Sequence, residues 1–496
     1  MVLEDLSRRT EHPGGAWAGL FCATCLALTG GAARAAERAA EPASQRTLTI
    51  TPTLGVQGVF TDNANVAAAD GRSDFILRGL LGLDAKLTTS RVTARVVGEA
   101  SYDAYSRLSE LNGWSVVGNG SANLQLIRNT LAIEADGAIT NGNVSTFGAP
   151  ATQRHGVGGR VRLTTYAVGP RLTMTGGEHV DVAAAARFSQ VFYRTEGRGS
   201  NRPLPADDNI VQLVGSVGTG ARLRRYEFLT SGEFVKDDHG YKTANAVQSV
   251  FVGLGPKVRL ITRAGYERVS PLGLARISAP IASAGLEFSP NPRSKISVEG
   301  GSRYHRATWA AEANLQVSRT VELTGAYSKT IQPGQVAVAR SFREFVERST
   351  QLQSADAPAG FTFEGNLYGE TSLYRSGELR AVYTGATDSV TASGSWANRT
   401  FLRAGGRDRT FIGQLAYTRR LRPDLALTLG TNYAHTYESP LYGASKTYGF
   451  SGRLDYKINS RTDFDARFDR TRSRQLFPGG ERIAESVVSF SVRRAF

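Results

Sequence analysis

The segment Ser486–Phe496 reads SVVSFSVRRAF and alternates between apolar and polar residues until it ends in an aromatic side chain. Successive side chains of a strand point to opposite faces, so Val488, Phe490 and Val492 share one face with serines on the other. This pattern, ending in Phe496, is typical of the closing strand of a bacterial outer-membrane β-barrel. We therefore interpret Phe496 as an assembly signal, and the barrel-assembly machinery as a partner.

The same alternation recurs through the body of the chain. The odd positions from Phe75 to Leu87 are all apolar or small, so one face of this strand meets an apolar medium. A soluble β-sandwich alternates in the same way, and strand length distinguishes the two folds. Segments of about ten to fourteen residues exceed the five or six usual in soluble sheets and suit a tilted crossing of a bilayer. The sequence therefore predicts an all-β, antiparallel, up-and-down transmembrane β-barrel.

Aromatic residues concentrate toward the ends of these segments, as expected for the two interfacial girdles of such a barrel. The girdle candidates are Trp114, Tyr304, Trp309, Tyr327, Tyr417, Tyr433, Tyr437, Tyr448 and Tyr456.

The connections between segments alternate in length. Short polar turns such as Thr88–Arg91 and Asn459–Thr462 lie between longer Gly/Asn/Asp-rich connections such as Thr61–Ser73 and Gln332–Gly377. Short turns are typical of the periplasmic side and long loops of the extracellular side. This scheme predicts about 22 strands, within a range of roughly 16–24, with both termini in the periplasm.

The N-terminal region resembles an export signal. An apolar run, Leu20–Leu28, precedes a small-x-small site at residues 33–35, which predicts a signal peptide over residues 1–35. A periplasmic segment then covers residues 36–46, and the barrel covers 47–496. A lipoprotein cut before Cys25 and a twin-arginine signal at Arg8 and Arg9 are alternatives. Because both cysteines lie in the apolar run, the mature chain contains no cysteine for a disulfide or a metal site.

The chain is strongly basic, with 59 Lys+Arg against 44 Asp+Glu and a net charge of +15. Nucleic acid is not the expected partner, because the basic residues are dispersed through alternating strands rather than gathered on one patch or helix. Arginine greatly outnumbers lysine. Arginine binds carboxylate and phosphate bidentately, which favours anionic saccharides or lipid phosphates as partners; a GC-rich genome would produce the same bias.

Charged residues on the polar face of the strands are candidates for the pore lining, because mixed charges suit a hydrated pore. By parity the candidates are Arg95, Glu99, Lys295, Glu299, Arg303, Arg453, Asp455, Lys457, Asp465 and Arg467.

The long connection Gln332–Gly377 differs from the others. Val336, Phe342, Phe345 and Val346 fall at nearly helical spacing, with charged residues such as Arg343 and Arg348 between them. One interpretation is a constriction or plug folded into the lumen, built on Phe342, Arg343, Phe345 and Arg348. The alternative is a short helix on the cell surface.

Catalytic chemistry is not indicated. The mature chain holds no histidine pair at metal-ligand spacing, and we predict no catalytic residue, metal or cofactor. His305 near Ser302, or His435 near Thr436, are the nearest approach to a nucleophile and base. A polar histidine at a strand end is the preferred explanation of both.

Several short motifs together resemble the β-barrel porin 2 family. They are the export signal, Ile50-Thr51-Pro52-Thr53 leading into the first strand, Phe60-Thr61-Asp62-Asn63 at its end, Gly169-Pro170-Arg171-Leu172 within a strand, and Phe496. The resemblance spans nearly the whole mature chain and implies an outer-membrane barrel with no catalytic residues. Its relatives often accompany exopolysaccharide gene clusters.

Two functions follow as expectations. The first is a porin-like channel for small or polymeric anionic solutes, linked to exopolysaccharide secretion. The second is a non-conducting barrel that anchors a surface assembly. In either case the expected location is the bacterial outer membrane, with outer-membrane lipid and lipopolysaccharide as partners and anionic polysaccharide as a further one.

Overall fold

The computed structural model describes most of the chain from Arg46 to Phe496. The described residues are 46–143, 160–176, 179–196, 206–220, 225–271, 273–334, 336, 371–403, 405–439 and 443–496. The predicted signal peptide lies outside them, and so does all but the last residue of the predicted periplasmic segment, so both stay predictions. Within the described residues no helix is long and apolar enough to span a membrane.

One antiparallel sheet of 22 strands contains almost all of the described chain, as the alternation predicts. The strands are β1 (Thr47–Thr61), β2 (Asp74–Thr88), β3 (Val92–Tyr105), β4 (Gly113–Ile127), β5 (Leu131–Asn143), β6 (Arg160–Gly176), β7 (Val180–Glu196), β8 (Asp208–Thr219), β9 (Tyr226–Asp237), β10 (Lys242–Gly253), β11 (Val258–Ser270), β12 (Ile277–Asn291), β13 (Ser294–Arg303), β14 (Arg306–Gln316), β15 (Val321–Gln332), β16 (Ser372–Thr384), β17 (Asp388–Phe401), β18 (Arg407–Arg422), β19 (Leu425–Glu438), β20 (Ser445–Asn459), β21 (Thr462–Gln475) and β22 (Arg482–Ala495).

The sheet closes on itself because β22 pairs with β1, from Thr53 opposite Ala495 to Thr61 opposite Val487. The Phe496 N–H donates to the Pro52 carbonyl at 3.0 Å, at the end of this seam. Closure leaves no unpaired sheet edge, which is the condition for placing strands in lipid. The fold is therefore the predicted all-β, up-and-down barrel.

Connections at the two ends of the barrel differ in length. At the end where β1 begins and β22 ends the turns are short, for example 89–91 and 460–461, whereas the opposite end carries the connections 62–73, 144–159 and 333–371. By this asymmetry the short turns face the periplasm and the long connections face outward. Several outward connections are also short, for example 238–241, and the sequence pattern does not reveal three of them, namely 106–112, 304–305 and 402–406.

The outer face of the barrel is apolar. Exposed residues such as Leu54, Val56, Leu81 and Phe490 alternate with inward-facing polar residues. Most of the predicted girdle aromatics lie on this face; Trp309, for example, stacks on Tyr327 at 3.8 Å between ring centroids. Tyr304 is an exception, and the prediction for it is wrong. It lies in a turn, and only 7% of it is exposed.

The closed barrel leads to the first prediction. Because the strand ladder has no free edge, detergent leaves it intact until heating separates the strands. We expect the purified chain to give a β-rich circular dichroism spectrum and to migrate differently on a gel before and after boiling. Recovery as a water-soluble periplasmic monomer would contradict the assignment.

Candidate functional site in the barrel lumen

Strand register assigns each described strand residue to the inner or the outer face of the wall. Directly opposed residues of antiparallel strands share a face. Phe60 is opposed by Phe75 on β2 and by Val488 on β22, and all three lie outside. Thr61 and its partner Asp74 lie inside and are buried. The inner faces of the strands together form the lumen, which is the candidate functional site.

The structure places every predicted lining residue on this inner face. They are Arg95, Glu99, Lys295, Glu299, Arg303, Arg453, Asp455, Lys457, Asp465 and Arg467. Their chain neighbours Val298 and Phe468 point outward, with 52% and 38% of their surfaces exposed. That the lining residues border a conducting path stays a prediction.

Ion pairs on the inner wall often skip a strand. The Arg263 guanidinium on β11 lies 2.9 Å from the Glu299 carboxylate on β13. Likewise, Arg187 on β7 lies 2.6 Å from Asp136 on β5. Long side chains on the concave face of a barrel converge, so they reach across the intervening strand. These pairs connect strands that share no backbone hydrogen bond.

One of these pairs spans more strands than the others and crosses the seam between β22 and β1. Arg493 on β22 lies 3.3 Å from Glu99 on β3, so that both β1 and β2 are bridged. Gly55 on β1 leaves room for this crossing, because a β-carbon there would lie 3.0 Å from Cγ of Arg493 and 3.3 Å from Cδ1 of Leu80. The seam is therefore held by an inner-wall ion pair as well as by the backbone ladder.

Several inner-wall pairs place the cation toward the open lumen and the carboxylate against the wall. Lys295 is 53% exposed while its partner Glu287 is 6% exposed. Arg263 is 41% exposed over Glu299 at 13%. In contrast, Asp84 is more exposed than its partner Arg95, so the trend has exceptions. Where it holds, a solute in the lumen meets guanidinium or ammonium groups before it meets carboxylates.

A recess in the inner wall lies beside the Gly169-Pro170 motif. Pro170 has no N–H to donate, and the ladder between β6 and β7 lacks pairings at residues 169 and 170. Gly169 permits the close approach of the two strands, since a β-carbon there would overlap the Ala186 carbonyl oxygen. The recess opens at this break and has a volume of about 520 Å³. Its charged lining residues are Glu134, Asp136, Arg171 and Arg187.

Two inner-wall ion pairs toward the extracellular end are buried on both sides. Arg78 and Asp103 pair at 2.5 Å, with 9% and 1% of their side chains exposed. Arg399 and Asp408 pair at 3.0 Å with 7% and 1% exposed. Removing one partner of such a pair would leave an uncompensated buried charge. These pairs therefore act as structural ties at the barrel mouth.

An apolar cluster, which we call the mouth cluster, lies at the extracellular end of the barrel and joins inward-facing residues to Ile331 and Leu373, which share the outward register of Tyr327. Its members come from β6 to β9, β11, β15 and β16 and from the connections between strands. They are Val161, Leu163, Val191, Tyr193, Ile210, Val235, Tyr241, Val269, Tyr304, Ile331, Val336 and Leu373. The Tyr241 hydroxyl donates to the Ile331 carbonyl at 3.0 Å, although β11 to β14 separate these residues along the wall. The contact therefore joins the connection before β10 to the end of β15 at the mouth.

Tyr304 supports this arrangement from a two-residue turn between β13 and β14. Tyr304 and its neighbour His305 have φ angles of 56° and 57°, a region that non-glycine residues seldom adopt. Burial raises the pKa of the Tyr304 hydroxyl, so the group stays protonated. It donates to the Glu267 carboxylate and accepts from the Ile331 N–H, each at 3.3 Å. A strained turn thus positions the Tyr304 ring within the mouth cluster.

A second apolar cluster lies at the mouth near the seam. It joins Val59, Ala64, Ile76, Tyr105, Leu108 and Val487. The Asp74 carboxylate accepts the backbone N–H groups of Arg107 and Leu108 at 3.1 and 2.9 Å. This holds the connection 106–112 against the barrel rim. The described part of the mouth is therefore narrowed from two sides.

The long outward connection is described only at residues 333, 334, 336 and 371. Val336 is 1% exposed and belongs to the mouth cluster, so this connection starts inside the rim. The predicted plug residues Phe342, Arg343, Phe345 and Arg348 lie outside the described residues. The plug interpretation stays a prediction.

The structure does not bring the nominated catalytic pairs together. His305 Nε2 hydrogen-bonds the Ser278 carbonyl at 2.8 Å. His435 lies on the outer face beside Tyr433 and Tyr437, whereas Thr436 points inward and is fully buried. Among the described residues, His, Cys, Asp and Glu form no group of three that could hold a metal ion.

No family model matches this chain, and no curated protein matches it. Among solved structures, the barrel is similar to the siderophore receptor PirA from Acinetobacter baumannii, with 8% identity and a TM-score of 0.48 over 91% of this chain and 81% of that one. It is also similar to the Ferric-Catecholate import receptor Fiu from E. coli, with 10% identity and a TM-score of 0.46 over 89% and 81%. A third is OccAB1 from Acinetobacter baumannii, with 10% identity and a TM-score of 0.36 over 91% and 97%. At sequence identities and TM-scores this low, the similarity concerns the barrel fold alone.

The chain's own geometry defines its class. It forms a closed sheet of 22 antiparallel strands, apolar outside and charged inside, with short turns at one end and long connections at the other. Such a barrel is an outer-membrane protein of Gram-negative bacteria.

Proposed function

We propose that this barrel is a porin-like channel for small or polymeric anionic solutes. The observation that supports the proposal is the arrangement of its inner-wall ion pairs, in which exposed cations cover buried carboxylates. Lys295 over Glu287, Arg263 over Glu299 and Arg171 over Glu134 are the examples.

The physical reason is the position of the charges relative to the solute. A carboxylate held against the wall is screened by the cation above it, whereas that cation is free to exchange partners with a passing anion. Guanidinium groups bind carboxylate and phosphate through two parallel hydrogen bonds. Rings of charged side chains set the selectivity of pores in this way. The lumen would therefore favour anions even though its wall carries many acidic residues.

A triple substitution tests this selectivity. Changing Lys295, Arg263 and Arg171 to glutamine removes three exposed positive charges and takes the paired cation from Glu299 and Glu134, while Glu287 keeps Arg259 at 3.5 Å. We expect the reversal potential in a salt gradient across a planar bilayer to shift toward cation selectivity. None of these positions is fully buried, so the barrel should still fold.

The matched control changes Arg268, Arg375 and Arg494 to glutamine. These arginines lie on the outer face by register, so the same total charge is removed without altering the lumen. Anion selectivity should stay at the wild-type value. A channel that conducts with unchanged selectivity after the inner triple substitution would contradict the proposal.

The polymeric branch of the proposal rests on the family resemblance, which associates such barrels with exopolysaccharide export. An acidic oligosaccharide added to one chamber should block the current transiently as it enters the lumen. A neutral oligosaccharide of the same length should block it less, because the inner-wall cations do not retain it. If both oligosaccharides block the current equally, the proposal holds only for small anionic solutes and not for polymeric ones.

The anchoring barrel is the second candidate, and the two apolar clusters at the mouth favour it. They pack at the outward end of the barrel, where a non-conducting scaffold has no need of an open passage. This candidate would be established if the wild-type protein carries no current across a planar bilayer and a variant with a disrupted mouth cluster also carries none.

A further inference from the structure

A group of basic residues lies on the outer face of the last three strands, near their extracellular ends. Its members, which we call the outer basic patch, are Lys446, Arg470, Arg472, Arg474 and Arg482. The four arginines are exposed and Lys446 is half-buried. They share the face that carries the lipid-exposed Tyr448, Phe450 and Phe490.

Strand register makes these residues neighbours. Arg474 on β21 is opposed by Lys446 on β20 and by Arg482 on β22, so three cations stand side by side in one row. Adjacent strands lie about 4.8 Å apart. Arg472 and Arg470 follow below Arg474 at alternate positions of β21, each step covering about 6.6 Å along the strand. The patch thus forms a compact two-dimensional array.

The three strands that carry the outer basic patch supply no compensating charge on their outer face. No outward position of β20, β21 or β22 carries an acidic residue. Within the part of the chain that the structure describes, none of the five makes an ion pair, whereas Arg453, Arg467 and Arg493 on the inner faces of the same strands do. Clustered cations repel one another, so the array is expected to gather anions from its surroundings.

Aromatic residues lie beside and below the outer basic patch on the same face of the barrel. Phe450 opposes Arg470, and Tyr448 opposes Arg472. Phe468 and Phe490 continue the same face toward the periplasm and are exposed. Aromatic residues of a barrel mark the boundary between hydrocarbon and headgroups. The patch therefore begins at the headgroup level of the outer leaflet.

We propose that the outer basic patch binds the phosphate groups of a phosphorylated lipid of the outer leaflet, namely lipopolysaccharide. The acyl chains would cover Phe450, Phe468 and Phe490, and the phosphates would contact the arginines above them. Guanidinium and phosphate have matching bidentate geometry, and the interface excludes part of the competing water. A soluble acidic partner fits less well, because the patch continues directly into the apolar face rather than standing apart from it.

The test measures retention of lipid A, the phosphorylated anchor of lipopolysaccharide, by native mass spectrometry of the detergent-solubilised barrel. The probes are bisphosphorylated lipid A and the same lipid after enzymatic removal of its phosphates. Wild-type protein should prefer the phosphorylated form. Changing Arg470, Arg472, Arg474 and Arg482 to glutamine should weaken its binding at least about tenfold and abolish the preference.

The control variant carries the outer-face substitutions Arg268→Gln, Arg375→Gln and Arg494→Gln, which should leave the preference intact. Heat-modifiable migration of each variant confirms that it is folded. Equal retention of both lipids by wild type, or an unchanged preference in the four-arginine variant, would overturn the proposal. Competition by inorganic pyrophosphate at the same concentration as lipid A would also overturn it, because the acyl chains would then contribute nothing.

Discussion

Phe496→Asp is expected to remove most of this protein from the outer membrane. Phe496 projects outward with Phe490 and Val492, and more than half of its surface is exposed. Its backbone N–H bonds the Pro52 carbonyl at the end of the seam, and the substitution keeps that bond. An acidic group near the membrane interface costs only about 0–1 kcal/mol. The substitution should therefore change the stability of the folded barrel very little. A large loss would therefore report failed recognition of the aromatic end during assembly.

The measurement is the amount of folded barrel in the outer-membrane fraction, with Phe496→Tyr as the matched control. Tyrosine keeps the aromatic ring and should be found at the wild-type level. Arg494→Gln, two residues earlier on the same face, should also change little. Equal amounts of all variants, including Phe496→Asp, would show that Phe496 is not an assembly signal.

Val336→Asp is expected to raise the current through the barrel. Val336 is 1% exposed within the mouth cluster, and an unpaired carboxylate there costs on the order of several kcal/mol. The wall itself is held by the strand ladder and should stay closed. Releasing the start of the long connection from the rim hydrates the new charge at a lower free-energy cost than opening the wall would. Single-channel conductance in a planar bilayer measures the result.

Val317→Asp is the matched control, because Val317 is 62% exposed and lies in a turn at the periplasmic end. The same chemical change there should leave the conductance at its wild-type value. If wild type conducts and Val336→Asp conducts no better, the mouth cluster does not restrict the path. If neither conducts, the anchoring function is the better account.

The faces of the strands could be predicted from the sequence because alternation is a local property. Arg453, Asp455 and Lys457 lie inside since each is two residues from the next, and Val488 and Phe490 lie outside for the same reason. The strand number also follows from counting such segments. Neither the face of a residue nor the number of strands depends on knowing which strands pair with each other.

The ion pairs of the lumen could not be predicted in this way. Arg263 and Glu299 lie on strands that are not neighbours, and their contact depends on wall curvature and side-chain length. Arg171, Arg187 and Arg263 have inward parity in the sequence, and applying the parity rule to every strand would have identified them. Their partners become evident only when the barrel is closed.

The short outward connections were missed for a different reason. Tyr304-His305 contains neither glycine nor asparagine, the residues that usually mark a two-residue hairpin turn. Packing of Tyr304 against Ile331 and Glu267 holds an unfavourable backbone conformation that local propensity argues against. The outer basic patch, in contrast, leaves a visible signal: Arg470, Arg472 and Arg474 alternate at the end of an otherwise apolar face.

The seam between β1 and β22 also constrains when the protein can fold. The Thr61 hydroxyl donates to the Glu485 carboxylate at 2.8 Å across 424 positions of sequence, so closure joins nearly the first described residues to the last. Contacts of such high sequence separation form slowly. Until β22 is available, β1 keeps an unpaired edge, which is a template for pairing with other chains. The yield of folded barrel is therefore expected to depend on how well the edge of β1 is shielded before β22 pairs with it.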